Sequence, residues 1–274
     1  MTKTPRPTQP RRWTSLAIAS VTLAATPAFA DMRAAPITLA PSEARLWLAQ
    51  EGGEGGEAGE AGITADATND VAYLAEITII EGHMLAARDL YAKGQKADAV
   101  ALSSHPQEEG TLAELVKQIT GHGAADPSDA IAAFTATMAK DAPQAEVDAA
   151  LAVVSEAFAA AAAVEADEIS ARFDAVVLVL KAAAGEYEGR IENGAVADVM
   201  AWHEAYSFTQ LAGLHLAELA SLPQSAEAAT KASAILAETA AAFGDPTAAT
   251  LLAGDPAILA SVAAKVELLA SSVR

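Results

Sequence analysis

The sequence predicts an all-α protein, an up-and-down helical bundle of about seven to nine helices that follows a flexible acidic N-terminal tail. Apolar residues recur with a helical period from Asp66 onward. Alanine dominates an apolar fraction of 52%, while aromatic residues make up only 5%, which favours closely packed helices over sheets. No run of alternating β-branched residues indicates a strand, and the lack of a fixed repeat favours one bundle over a solenoid.

The first 30 residues are typical of a secretory signal peptide. A basic segment without acidic residues precedes an apolar stretch, 13–25, that is too short to span a membrane, and Ala28 and Ala30 fit the small-residue cleavage site. An uncleaved anchor is the alternative, and a pair of arginines leaves the twin-arginine route open beside the general secretory one. We therefore expect a periplasmic or secreted protein with no stable membrane insertion after cleavage.

Residues 31–66 are predicted to form a flexible tail ahead of a helical domain at 67–274. Within the tail, 51–62 combines six glycines with four glutamates and has no apolar period. Cleavage after residue 30 would remove four basic residues and no acidic one, so the formal net charge would fall from −19 to −23. A surface this acidic disfavours nucleic acid as a partner and attracts cations. The absence of cysteine excludes disulfides and thiolate metal sites.

Glycine and proline divide the domain into helices. The first is predicted to span 67–93, where a glycine follows in the stop position. A short segment, 95–102, comes next. Pro106 is expected to open a helix that continues to Ile119, because proline is tolerated at the first helical position, with His105 as its N-cap.

Later helices begin at similar signals. The helix from Asp167 is expected to continue to Arg190 and to stop at Asn193-Gly194, and Ser225 is expected to cap a further helix after a proline break. The other predicted starts are Asp126-Pro127, Ala142-Pro143, residue 195, Asp245-Pro246 and Asp255-Pro256.

Histidines and carboxylates on the predicted helices are the candidate functional residues. Glu76 and His83 are seven residues apart, so they stack two turns apart at the edge of an apolar face. His105 is a poor N-cap and capping does not require Glu109, so this segment offers an imidazole and a carboxylate on adjacent turns. His203 lies on an unusually polar stripe of its helix. A hydrogen-bonded buried network is the alternative for Glu76, His83 and His203, and helix capping is the alternative for the segment at His105.

Two stretches resemble a group of exported bacterial helical proteins. They are 81–85 (EGHML) with Gly94 and 105–109 (HPQEE), and 185–188 (GEYE) continuing to Phe208. This resemblance implies an envelope location and a helical fold. More loosely, the chain is similar to the imelysin-like proteins, which would link it to iron handling. Those proteins carry Gly-x-His-x-x-Glu, whereas here the glycine directly precedes the histidine and no glutamate follows at that spacing.

Two functional hypotheses follow. The first is a periplasmic binding protein for a metal cation, with His83, His105 and Glu109 as main ligands and Glu76 and His203 as weaker candidates. Imidazole and carboxylate without sulfur suit iron, copper, zinc or nickel. The alternative is a non-catalytic envelope scaffold that docks a protein partner through its helical faces. The sequence contains no complete catalytic motif, so an enzyme is the least favoured hypothesis and is left open.

Overall fold

The computed structural model describes residues 69–108, 110–165, 167–192 and 194–273. The predicted signal peptide and tail lie outside these ranges. The described residues confirm the all-α bundle: they contain nine α-helices of 11 to 23 residues and a tenth of a single turn. The helices are α1 Asp70–Ala92, α2 Lys96–Glu108, α3 Thr111–Gly121, α4 Ser128–Ala139, α5 Gln144–Ala162, α6 Ile169–Tyr187, α7 Val199–Ala220, α8 Ala226–Leu236, α9 Ala240–Phe243 and α10 Ala257–Ala270.

α1 is the central helix of the bundle. The side chain of Asn69 caps it by accepting a hydrogen bond from the N–H of Ala72 at 3.3 Å, and Gly94 follows its end with φ of +80°. Most of its residues are buried, because it packs against α2, α5, α6 and α7. A helix that is apolar nearly all round is expected in such a central position.

α5 is the most apolar long helix. Among the described residues, Gln144–Glu165, which is α5 with a following 3₁₀ turn, is the one stretch long and apolar enough to cross a membrane, with a mean hydropathy of 1.8. That property rests on length and composition alone. One face of the same helix buries Val147, Val154 and Phe158, and α5 packs against α1 and α4.

α6 and α7 are joined by a β-hairpin that the sequence analysis did not predict. α6 ends at Tyr187 rather than Arg190, and Ile191–Glu192 pairs in antiparallel fashion with Ala195–Val196. The expectation of a simple helix stop was therefore wrong. An Asn-Gly pair is a strong two-residue hairpin signal because the turn needs positive φ, and Gly194 has φ of +76°.

His105 and Pro106 lie inside α2, so the prediction that Pro106 opens a helix was also wrong. Pro106 occupies the last turn of α2, where its missing N–H removes a single helical hydrogen bond. α2 ends at Glu108. Gly110, four residues after Pro106, then turns the backbone with φ of +81°. The hydroxyl of Thr111 then donates to the carbonyl of Pro106 at 3.1 Å. His105 consequently lies on a helix face instead of at an N-cap.

Two further helix signals have other roles. No helix starts at Asp245-Pro246, since Oδ1 of Asp245 accepts hydrogen bonds from the N–H and hydroxyl of Thr247 at 2.8 and 2.7 Å and forms a local turn. Ser225 does occupy the N-cap position of α8, but its hydroxyl donates back to the carbonyl of Leu219 at 2.7 Å. The prediction for Asp255-Pro256 is confirmed, because α10 begins directly after it.

Gly82 allows α1 and α7 to approach closely. A Cβ added at this position would collide with Cδ1 and Cε1 of Phe208 on α7, and it would lie 3.7 Å from a methyl group of Leu211. The ring of Phe208 is fully buried, so it has no room to move away. Glycine is required here because any side chain would hold the two helices apart.

Replacing Gly82 with alanine is expected to lower the free energy of unfolding by about 1–3 kcal/mol, because overpacking outweighs the gain of about 1 kcal/mol in helix propensity. Gly121→Ala, at the open end of α3 where a Cβ meets nothing within 4 Å, serves as the control and should not destabilise the protein. Urea denaturation measures both. Equal stability of the two variants would contradict the close approach, and Gly82→Ala/Phe208→Leu should recover part of the loss.

Candidate metal site

Three side chains from three helices form a group that could hold a metal ion. They are His83 of α1, His105 of α2 and Glu204 of α7, and one ligand atom of each lies within 4.8 Å of the others. Nε2 of His83 is 3.3 Å from Oε1 of Glu204, and Nδ1 of His105 is 4.0 Å from the same oxygen. His83 and Glu204 are buried, whereas the side chain of His105 is 32% exposed.

The position of one proton on His83 follows from its backbone partner. Nδ1 of His83 lies 2.9 Å from the carbonyl oxygen of Ile79, one turn earlier in α1. A carbonyl only accepts, so Nδ1 carries a hydrogen and donates it. In the neutral ring, Nε2 then presents its lone pair to the carboxylate of Glu204. A ligating histidine is commonly oriented by such a second hydrogen bond to a backbone carbonyl.

A cation is needed between these two acceptor atoms. An imidazole lone pair and a carboxylate oxygen repel one another at 3.3 Å unless a proton or a metal ion lies between them. Glu204 is buried, and a buried charge is costly unless it is paired or binds an ion. The pair therefore favours either a proton shared between His83 and Glu204 or a bound metal.

The distances are close to those of a coordination sphere. Two ligands about 2.0–2.1 Å from a zinc ion at the tetrahedral angle are about 3.3–3.4 Å apart, which matches the separation of His83 and Glu204. His105, at 4.0 Å, would have to move inward by a few tenths of an ångström. It is also the most exposed of the three residues, so it has the most freedom to move.

Aromatic rings bound the site on one side. The ring of Phe208 meets that of His83 edge to face, with centroids 5.5 Å apart, and the ring of His105 lies 6.0 Å from His83 in a similar orientation. Phe208 is fully buried and His105 is partly exposed. The site is thus closed towards the core, and the partly exposed ring of His105 lies on its solvent side.

The structure brings together two of the five residues singled out in the sequence. His83 and His105 belong to the group, although their role as ligands stays a prediction. Glu109 lies outside the described residues. Glu76 and His203 are buried, with exposed fractions of 7% and 1%, but neither is a member of the group.

Glu204 is the member that sequence reasoning missed. It is adjacent to His203, which drew attention to the wrong face of α7. The stripe shared by His203 and Tyr206 turns to solvent further along, where Gln210 and Leu214 are exposed. Glu204 lies one turn before Phe208, on the face of α7 that packs against Gly82 of α1. That spacing was the sequence signal that could have indicated Glu204.

His203 has a different environment. Its ring packs against Trp202 with centroids 5.0 Å apart, and neither ring nitrogen has a hydrogen-bond partner among the described residues. Burial, together with the positive charge of Lys93, lowers the pKa of His203 from 6.5 to about 4. The ring is therefore neutral in the folded protein at neutral pH.

A second histidine–carboxylate pair lies elsewhere in the bundle. Nδ1 of His122 is 3.0 Å from Oε1 of Glu165, and the His122 ring stacks on Tyr73 with centroids 4.5 Å apart. Burial, together with the charge of Glu165, raises the pKa of Tyr73 to about 12. His122 and Glu165 are not joined by a third possible ligand among the described residues, so the pair serves as a reference for the candidate site.

Comparisons with family models, with curated proteins and with solved structures find no match to the chain. The function is therefore argued from the geometry of the site.

His203 should make the protein less stable in acid. The unfolded state takes up a proton on this residue near pH 6.5, while the folded state does so only near pH 4, so stability falls as pH decreases between these values. From pH 7 to pH 5 this contribution is about 2 kcal/mol of unfolding free energy. Urea denaturation at both pH values should show a loss smaller by about that amount in His203→Phe. An identical loss in the two proteins would show that His203 does not carry this effect.

Proposed function

We propose that the protein is a periplasmic binding protein for a transition-metal cation, held by His83, His105 and Glu204. The observation that supports this most strongly is the pair of acceptor atoms, Nε2 of His83 and Oε1 of Glu204, facing each other at 3.3 Å in a buried position. A metal ion satisfies both atoms and uses the third donor, His105, at the same time.

The donor set suits a limited group of ions. Two imidazoles and one carboxylate bind zinc, iron(II), copper(II) or nickel, and three protein ligands leave at least one position for water or another ligand. Calcium and magnesium are disfavoured because they prefer sites built from oxygen. The formal net charge of −19 would raise the local concentration of any of these cations.

Export is part of the proposal. The signal-like first 30 residues agree with a function in the cell envelope. Secretion beyond the envelope would be compatible with the same features.

The scaffold hypothesis ranks second. It predicted scattered, unconnected histidines, whereas His83 and His105 lie in the same group. Single exposed apolar side chains such as Leu268, 74% exposed, are common on protein surfaces and do not favour a partner by themselves.

The direct test measures metal binding. The protein, purified without an affinity tag or chelator, should bind about one equivalent of zinc, copper(II), nickel or anaerobic iron(II) in calorimetric titrations. His83→Ala and Glu204→Gln should each weaken binding by more than the roughly 10–100-fold that loss of an outer-shell partner costs. His122→Ala removes a histidine paired with a carboxylate outside the group and should bind like the wild type. Failure of every metal to bind, or equal loss in His122→Ala, would overturn the proposal.

Glu204→Gln also shows how His83 and Glu204 interact in the metal-free protein. If His83 is neutral, the amide of the new glutamine can donate to Nε2, so the metal-free variant should be as stable as the wild type or more stable by up to about 1 kcal/mol. If a protonated His83 forms an ion pair with Glu204, the same variant should be destabilised by about 3 kcal/mol or more, because the remaining partner is buried. Urea denaturation in the presence of chelator decides between the two states.

A further inference from the structure

A cavity of about 380 Å³ lies between α1, α5, α6 and α7. Its walls are mainly apolar, with Ile77, Phe158, Val176 and Leu211 among the lining residues. Its volume falls within the range of about 300–1,000 Å³ that is usual for small-molecule sites. The cavity is therefore large enough to hold a small organic molecule.

The basic side chains that line the cavity, Arg172 and His215, already have partners. Nη2 of Arg172 donates to Oε2 of Glu218 at 2.8 Å. The hydroxyl of Thr78 donates to the carbonyl of Leu74 at 2.9 Å, so Nε2 of His215, 3.1 Å from that hydroxyl, must be the donor to its oxygen. These contacts leave little positive charge to attract an anionic ligand.

Glu81 is the polar group of the lining that a ligand would complement best. The hydroxyl of Ser155 on α5 is its hydrogen-bonding neighbour, and most of the surrounding lining is apolar, so a charged carboxylate here gains from a nearby cation. A cation placed beside Glu81 would stabilise the carboxylate. A second anion would instead be repelled by Glu81 and by Glu218.

We propose that this cavity binds a small apolar molecule with one primary ammonium group, which lies against Glu81 while the apolar body packs among Phe158, Val176 and Leu211. The acidic surface of the protein, with a formal net charge of −19, favours the approach of such a cation.

The cavity is separate from the candidate metal site. Glu81 and His83 are two residues apart on α1, so their side chains point about 200° apart around the helix. None of the three possible metal ligands lines the cavity. Amine binding therefore does not depend on the metal proposal, and either proposal can fail alone.

The test uses three probes that share one ring system and differ in charge. They are 1-naphthylmethylamine, the neutral 1-naphthalenemethanol and the anionic 1-naphthoate, titrated against the purified protein by calorimetry or by their fluorescence. The amine is expected to bind at least about tenfold more tightly than the alcohol, which is what a charged hydrogen bond contributes. The naphthoate should bind most weakly.

Two comparisons test whether the probes bind in the cavity: Glu81→Gln against the wild type, and Ala159→Phe against Ala160→Phe. Glu81→Gln should bring the affinity for the amine to that of the alcohol and leave the alcohol unchanged. Ala159→Phe places a large side chain in the lining of the cavity and should weaken the amine and the alcohol alike, by about tenfold or more. Ala160→Phe lies next to it on α5 but outside the lining, and it should bind both probes like the wild type. Circular dichroism checks that each variant is folded.

Each remaining outcome would overturn the proposal. If no probe binds the wild type, or if folded Ala159→Phe binds as well as Ala160→Phe, the cavity is not the site. If the amine and the alcohol bind the wild type equally, or if Glu81→Gln retains the preference for the amine, the proposed ligand class is wrong.

Discussion

The close approach of α1 and α7 at Gly82 is the constraint on which the rest of the structure depends. The buried ring of Phe208 lies where a Cβ of residue 82 would be. The two helices therefore approach until this ring contacts the backbone of Gly82. Glu204 precedes Phe208 by about one turn and meets His83. Leu211 follows Phe208 by about one turn and reaches the cavity. One backbone contact therefore positions both candidate sites along the same helix pair.

Burying polar side chains on α1 costs free energy, and hydrogen bonds to the backbone of the same helix offset part of that cost. The hydroxyl of Thr78 and Nδ1 of His83 each donate to the carbonyl four residues earlier, in both cases at 2.9 Å. This local bond leaves the other polar atom of each side chain directed at a neighbouring helix, towards His215 and Glu204 respectively. A central helix can thus present polar atoms on two faces without leaving their donors unpaired in the core.

The fold class was predictable from sequence because it follows from local properties, namely the helical period and the abundance of alanine. His83 and His105 were recognisable by residue type. Glu204 was not, because its approach to two residues more than ninety positions away depends on how α1 and α7 pack. Pro106 and Asn193-Gly194 were misread for a related reason. Proline is compatible with the first and the last turn of a helix, and Asn-Gly with a stop and a hairpin, so the surrounding packing decides between them.

A proton and a metal ion at Glu204 differ in how many neighbouring side chains each can join. A proton joins two atoms, so it explains the 3.3 Å approach of His83 to Glu204 but not the presence of His105 near the same oxygen. A metal ion accounts for all three. A proton and a metal ion also compete for Nε2 of His83, because a histidine must be unprotonated on the ligating nitrogen to bind a metal. Metal binding should therefore release protons and strengthen as pH rises, whereas an ion pair that relies on protonated His83 should weaken over the same range.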